Sequence, residues 1–188
     1  MMTLSGRYLT LEDGTPTLDD IAVGLSRLPR FVGQTTRPYT VAHHSLVVSD
    51  MTILGRGKAE WFGELSMHAL FHDAHEMMTG DIPTTFKTLD MRRLQQELDA
   101  RLYNAFGLPK PRAIHRELVK QYDRQALLAE AYVLTPATTY ERICEETESH
   151  AETMFIEVVE KRSTETPEEA ADDFSAIASV LIGKWGTP

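Results

Sequence analysis

The sequence predicts an all-α protein that forms a single helical bundle. Apolar residues recur at three- and four-residue spacing over several long segments, the periodicity of amphipathic helices. Glycine and proline interrupt these segments, and no long segment shows the strict alternation of a half-buried strand. With 188 residues, 42% of them hydrophobic, the chain is long enough to bury one core. We therefore expect one domain over 1–188, with a motif-bearing core at about 19–134 and C-terminal helices at about 138–184.

The predicted helices follow one another along the chain. The stretch "LDDIAVGLSRL" forms the first, with Asp19 or Asp20 as its cap. The segment 29–39 contains two prolines and a glycine and is predicted to be a loop, after which Thr40 can cap the next helix. Further helices are predicted over 40–54, 58–79, 88–106, 111–134, 138–161 and 167–184.

Composition excludes several classes of protein. The net charge of −9 disfavours binding to a nucleic-acid polymer, whereas a small anionic ligand needs only a local cluster of Arg and Lys. The single Cys144 excludes an intramolecular disulfide and a Cys-rich zinc site. No apolar stretch approaches the roughly 20 residues of a membrane span. We therefore expect a cytoplasmic protein with a small-molecule partner and no membrane contact.

Three predicted helices carry a ligand-type residue within an apolar stripe. His44 shares an apolar helix face with Val48. His72 and Asp123 likewise lie on the apolar faces of two later predicted helices. Burying an unpaired imidazole or carboxylate is costly. These side chains therefore need one another, hydrogen bonds or a cation.

A divalent metal would satisfy all four candidates: His44, His72, Asp73 and Asp123. Neutral imidazoles and carboxylates suit Co, Mn, Zn or Fe better than Mg, and four protein ligands leave positions open for water and substrate. Such a metal would polarise a phosphoryl oxygen and acidify an attacking water, whose proton Glu76 could accept.

The remaining histidines of these segments are compatible with ordinary structural positions. A single histidine on an apolar face is more often a hydrogen-bonded core residue than a ligand. We assign His43, His68 and His75 to supporting or surface positions. The zinc-protease motif HExxH would need histidine at position 79, where the chain has Thr79. No P-loop and no nucleophile elbow is present in the sequence.

Three stretches, "VAHHSLVVS", "ALFHDAHEMMTGDIPTTFK" and "VKQYDRQALLAEA", resemble the HD-domain phosphohydrolases. Their H…HD…D order is met by His44, His72-Asp73 and Asp123. The resemblance is greatest to the small YfbR-like 5′-deoxynucleotidases and the phage dATP triphosphohydrolases. It implies an HD-domain helical bundle that holds one metal and forms a homo-oligomer, in the host cytoplasm if the gene is phage-encoded.

The resemblance also implies roles for single residues. Glu76 would act on the attacking water, and Asp81 would assist near the sugar and the leaving oxygen. Three cations and a proline are the implied substrate-binding residues: Arg27, Arg30, Lys87 and Pro83. One arginine before the "VAHHS" stretch would contact phosphate, and the spacing to His44 does not settle which of the two it is.

Our first hypothesis is a dNTP triphosphohydrolase that prefers dATP and releases deoxynucleoside and triphosphate. The stretch "RFVGQTTRPYTVAHHS" favours it, and His43 stands where the deoxynucleotidases carry an acidic residue. The alternative is a 5′-deoxynucleotidase that acts on dNMPs, which breaks the same kind of bond. A second alternative is a non-catalytic HD-type module that binds a nucleotide or a protein.

Overall fold

The computed structural model describes residues 1–10, 12–55 and 62–186. The described residues form α-helices and two short 3₁₀ segments, without a β-strand, so the predicted fold class is confirmed. The helices are α1 Leu18–Ser26, α2 Val41–Leu54, α3 Phe62–Leu70, α4 Glu76–Thr79, α5 Leu89–Ala105, α6 Ala113–Leu134, α7 Ala137–Thr147, α8 Thr153–Arg162 and α9 Pro167–Trp185.

Helix α2 lies at the centre of the bundle. Its residues Val41 and Leu46 pack into a core cluster with α1, α3 and α9. Val48 and Met51 pack into a second cluster with α6 and α8. A helix that is apolar on all sides is buried on all sides. His44, in the middle of this helix, is therefore completely buried.

The first helix begins with a cap other than the two aspartates predicted for it. Thr17 is the N-cap, and its hydroxyl accepts a hydrogen bond from the Asp20 backbone N–H at 3.0 Å. The Asp20 carboxylate accepts in return from the Thr17 N–H at 2.9 Å. This reciprocal capping box explains why Asp20 is buried, whereas Asp19 is exposed.

The helix predicted over 58–79 is divided in the structure. A turn over 71–75 separates α3, which ends at Leu70, from α4, which begins at Glu76. The first four residues of the predicted helix, 58–61, lie outside the described residues. Because the turn ends the helical register, His72 and Glu76 do not share a helix face.

The helix predicted over 138–161 is also divided, into α7 and α8. Helix α7 ends at Thr147, and the next residue, Glu148, is its C-cap, whose φ of 50° places it in the left-handed region. Glycine is the residue that usually adopts this conformation at the end of a helix. Because a glutamate stands here instead, the sequence contains no sign of this break.

Within the described parts of the chain, no helix is both long and apolar enough to cross a membrane.

Candidate active site

The structure brings the four predicted metal ligands together. His44 comes from α2, His72 and Asp73 from the turn after α3, and Asp123 from α6. His44 Nε2 lies 3.1 Å from Asp123 Oδ1 and 3.7 Å from Asp73 Oδ2. His72 Nε2 lies 3.2 Å from Asp73 Oδ2 and 3.8 Å from Asp123 Oδ1. Two imidazole nitrogens thus face the same two carboxylates.

Hydrogen bonds on the far side of each ring orient the two histidines. His44 Nδ1 donates to Glu130 Oε1 at 2.6 Å, and His72 Nδ1 donates to the Ala69 carbonyl at 2.7 Å. Both Nε2 atoms are buried and form no well-directed hydrogen bond with any described residue. Metal-binding histidines are commonly held in this way, with one nitrogen fixed and the other free. The donor set therefore fits a divalent transition metal.

The histidines and carboxylates of this centre strongly affect one another's pKa values. Burial and the nearby Arg30 oppose a positive charge on His44, but the neighbouring carboxylates raise its pKa to about 9. Burial opposes the ionised form of Asp73 and Asp123, yet the two histidines hold the pKa of both carboxyls below the usual range. The centre thus favours ionised carboxylates beside positive charge, the electrostatic setting that a bound dication would also satisfy.

Glu130 is a residue of the centre that was not assigned a role from the sequence. It is completely buried on α6 and accepts hydrogen bonds from His44, from the Tyr39 hydroxyl at 2.9 Å and from Arg30 Nη2 at 3.1 Å. Although burial opposes its charge, His44 and Arg30 lower the pKa of Glu130. Its spacing of seven residues from Asp123, on the same helix face, is the signal that could have identified it.

Glu76 lies at the start of α4, with a carboxylate oxygen within 4.8 Å of one of Asp73. It is 1% exposed, and Lys87 Nζ lies 3.5 Å from its Oε1. Oε2 is buried and has no hydrogen-bond partner among the described residues. Burial, together with the negative charges of Asp73 and Asp81, raises the pKa of Glu76 to about 7. A carboxyl with such a pKa can exchange a proton at neutral pH.

The structure places the two candidate arginines in different surroundings. Arg30 Nη2 contacts Glu130, and its Nη1 lies 3.7 Å from Asp81 Oδ2. Arg27 is exposed and lines a separate cavity near the N-terminus. Arg30 is therefore the arginine that lies beside the candidate ligands.

The segment after Arg30 has an uncommon backbone. Phe31 and Val32 have φ values of 51° and 53°. The left-handed region is unfavourable for a β-branched residue such as Val32, so the surrounding structure must hold this turn in place. Strain of this kind occurs often beside ligand-binding sites.

A cavity of about 520 Å³ adjoins the candidate ligands. His72 and Asp123 line one part of it, His68 of α3 and Phe71 line another, and α5, α6 and the loop between them supply the other walls. Three cations that sequence reasoning did not select also line it: Lys110, Arg116 and Lys120. Pro83, at the half-buried end of the GDIP turn, is not among its lining residues.

The other histidines of the motif region have different partners. His43 Nδ1 accepts from the Thr40 N–H at 3.2 Å, so its Nε2 carries the proton donated to the Glu165 carbonyl at 3.1 Å. His43 thus ties the start of α2 to the segment before α9. His75 Nδ1 lies 2.8 Å from Asp99 Oδ1. His68 and His115 belong to a separate cluster with Glu64.

Comparison with known proteins identifies the family. Residues 26–177 match the model of a family described as HD domain. The chain belongs to the HD domain family. The helical bundle and the convergence of the H…HD…D residues agree with this membership.

Two curated proteins resemble part of this HD domain. The uncharacterized protein YfdR of Escherichia coli (strain K12) is 33% identical over 112 residues, which are 57% of this chain and 58% of YfdR. The uncharacterized protein RCAP_rcc00048 of Rhodobacter capsulatus is 39% identical over 114 residues, 56% of this chain and 57% of that protein. The matched region thus spans less than two thirds of either relative.

A solved structure shares the fold. It is the cyanophage S-2L HD phosphohydrolase (DatZ) bound to dA and one catalytic Zn²⁺ ion. The TM-score is 0.54 at 22% sequence identity, with 90% of this chain and 98% of that chain covered. At this identity the similarity establishes the fold alone.

Proposed function

We propose that this HD domain is a metal-dependent phosphohydrolase that cleaves the 5′ phosphoester of deoxynucleotides. One observation carries the proposal: two imidazole nitrogens without directed hydrogen bonds face two carboxylates at the edge of a cavity, with a protonatable carboxyl beside them. The residues that would hold the metal are His44, His72, Asp73 and Asp123. When bound, a divalent metal there would polarise the phosphoryl group and acidify a water molecule.

The surrounding side chains supply the remaining chemistry. Glu76 would take the proton of the attacking water, because burial keeps its pKa near neutrality. Arg30 and Lys87 would stabilise the charge that develops on the phosphoryl oxygens. Asp81, held near Arg30, would assist at the leaving oxygen.

Three cations in the cavity favour a triphosphate substrate. Arg30 and Lys87 already lie near carboxylates, whereas Lys110, Arg116 and Lys120 line the cavity beyond Asp123. A triphosphate carries more negative charge than a monophosphate and gains more from these additional cations. We therefore place dNTPs first, and dATP first among them because DatZ is described with bound dA. A 5′-deoxynucleotidase is the alternative.

A product-resolved assay tests the proposal. The 188-residue protein, loaded with Co²⁺, Mn²⁺ or Zn²⁺, is incubated with each of the four dNTPs and dNMPs, and deoxynucleoside, phosphate and triphosphate are separated. Triphosphate and deoxyadenosine from dATP are the expected products. Phosphate from dAMP would instead identify a 5′-deoxynucleotidase. No turnover of any nucleotide would leave only a binding module and overturn the proposal.

Two substitutions sharpen the assay. D123A removes a proposed ligand and should abolish activity together with metal bound at this centre. K120Q should raise KM for dATP more than KM for dAMP. The matched control K161Q changes an exposed lysine on α8 and should leave both values unchanged. Equal effects of K120Q on the two substrates would contradict a polyphosphate position in the cavity.

A further inference from the structure

A second group of metal-ligand side chains lies elsewhere on the same cavity. Glu64 and His68 are one turn apart on α3, and His115 lies in the first turn of α6. Glu64 Oε1 lies 3.8 Å from His68 Nε2 and 3.6 Å from His115 Nδ1. One donor atom from each of the three residues lies within 4.8 Å of the other two.

Both imidazoles present an unpaired nitrogen to this carboxylate. His68 is 2% exposed and His115 is 0% exposed. His68 Nε2 and His115 Nδ1 are buried and lack a hydrogen-bond partner in the described part of the chain. The other nitrogen of His68 is fixed by the Tyr103 hydroxyl at 3.0 Å. Two buried ring nitrogens without hydrogen-bond partners cost stability unless something binds between them.

We propose that Glu64, His68 and His115 form a second site for a divalent transition metal, such as Zn²⁺ or Co²⁺. Donor atoms around one such ion, at bond lengths of about 2.0–2.2 Å, lie roughly 3–3.5 Å apart. The two separations from Glu64 Oε1, 3.8 Å to His68 Nε2 and 3.6 Å to His115 Nδ1, need to contract only slightly. The site shares no ligand with the first centre. Three protein donors leave a coordination position open, and because His68 and His115 line the cavity, the ion would add positive charge to it.

Arg112 contacts the atoms of Glu64 and His115 that would not bind the metal. Its Nη2 lies 3.1 Å from Glu64 Oε2 and 2.7 Å from His115 Nε2. A guanidinium only donates hydrogen bonds, so His115 Nε2 accepts and neutral His115 keeps its proton on Nδ1, the atom that would bind the metal. A metal on Nδ1 would shift this proton to Nε2, which could then no longer accept a hydrogen bond from Arg112. Metal binding therefore requires Arg112 to move away. Its side chain is 58% exposed, which leaves room for that movement.

Metal stoichiometry tests this site without reference to nucleotide turnover. The metal-free 188-residue protein is dialysed against buffered Zn²⁺, and its metal content is measured by mass spectrometry, while Co²⁺ absorption reports the coordination at each site. We expect two ions per wild-type chain and one in E64Q or D123A. E64Q preserves the size of a partly exposed side chain, and circular dichroism checks its fold. H150A, at an exposed loop histidine, is the matched control and should keep two ions.

R112Q provides a second, independent measurement. Removing the guanidinium frees His115 Nε2 to carry the proton and removes a positive charge beside the metal. The second ion should therefore bind about tenfold more tightly.

The outcomes separate this inference from the proposed function. One ion in both wild type and R112Q, unaffected by E64Q, would overturn the second site and indicate a water molecule between the three side chains. Loss of an ion in E64Q with none lost in D123A would support the second site and contradict the first centre. Unchanged affinity in R112Q would overturn the role given to Arg112.

Discussion

At the scale of single residues, Glu130 fixes the orientation of the His44 ring. Its carboxylate accepts hydrogen bonds from three donors in a completely buried position. In the variant E130Q, the amide has the same shape as the carboxylate but lacks the negative charge that balances the positive charges of His44 and Arg30. Removing a charged partner from a buried network costs several times more than removing an exposed one.

We predict that E130Q weakens metal binding by about 10- to 100-fold and lowers the free energy of unfolding by about 1–3 kcal/mol. Competition with a chelator measures the affinity, and chemical denaturation measures the stability. E145Q, at an exposed position on α7, is the control and should change neither quantity. Wild-type metal affinity in E130Q would show that Glu130 does not orient His44.

Glu76 is the residue proposed to handle the proton of the attacking water. The variant E76Q keeps the size of the side chain but cannot accept that proton. We predict that kcat falls by about 10²- to 10⁴-fold while the metal content stays unchanged. Single-turnover kinetics and metal analysis of the same sample distinguish loss of chemistry from loss of metal. A rate near that of the wild type would remove Glu76 from the mechanism.

At the scale of elements, α1 supports the helix that carries Glu76. Gly24 of α1 lies so close to α4 that a Cβ added there would come within 2.9 Å of the Met77 Cβ. Glycine is therefore required by this close approach of two helices. The capping box at Thr17 fixes the start of α1 and, through Asp20, ties it to Ser5 at 2.7 Å.

The capping carboxylate makes the stability of α1 depend on pH. Burial opposes the charge of Asp20, but hydrogen bonds from Ser5 and Thr17 lower its pKa to about 2, from 3.8. The ionised carboxylate therefore contributes stability above pH 3.8, and this contribution is lost as pH falls through 2. We predict that D20N lowers the free energy of unfolding by about 1 kcal/mol at neutral pH.

Urea denaturation across pH measures this effect. The difference between wild type and D20N should shrink as pH falls toward 2 and disappear below it, because the wild-type carboxyl then becomes protonated as well. D19N, at the neighbouring exposed aspartate, is the matched control and should show only a small effect. A difference that is independent of pH would mean that Asp20 contributes through shape and not through charge.

At the scale of the whole molecule, periodicity and residue type predicted the fold class, and the H…HD…D order predicted the family. The turn over 71–75 was not predicted, because "FHDAH" contains neither glycine nor proline and is compatible with a helix. The cavity cations were missed for another reason. Lys110, Arg116 and Lys120 are exposed side chains, and exposed charge leaves no periodic signal that separates a binding residue from an ordinary surface residue.

The candidate ligands join three parts of the bundle, so metal removal should affect the stability of the whole domain. His44, Asp73 and Asp123 belong to α2, the turn after α3 and α6, which are far apart in sequence. A ligand present at about 100 times its Kd stabilises the folded state by about 2.7 kcal/mol, which raises Tm by roughly 5–10 °C for a domain of this size. We predict that chelation lowers Tm by this amount and that Zn²⁺ or Co²⁺ restores it. D123A should lose most of the shift, whereas E64Q should keep most of it. A Tm that chelator and metal leave unchanged would show that no ion connects these three elements.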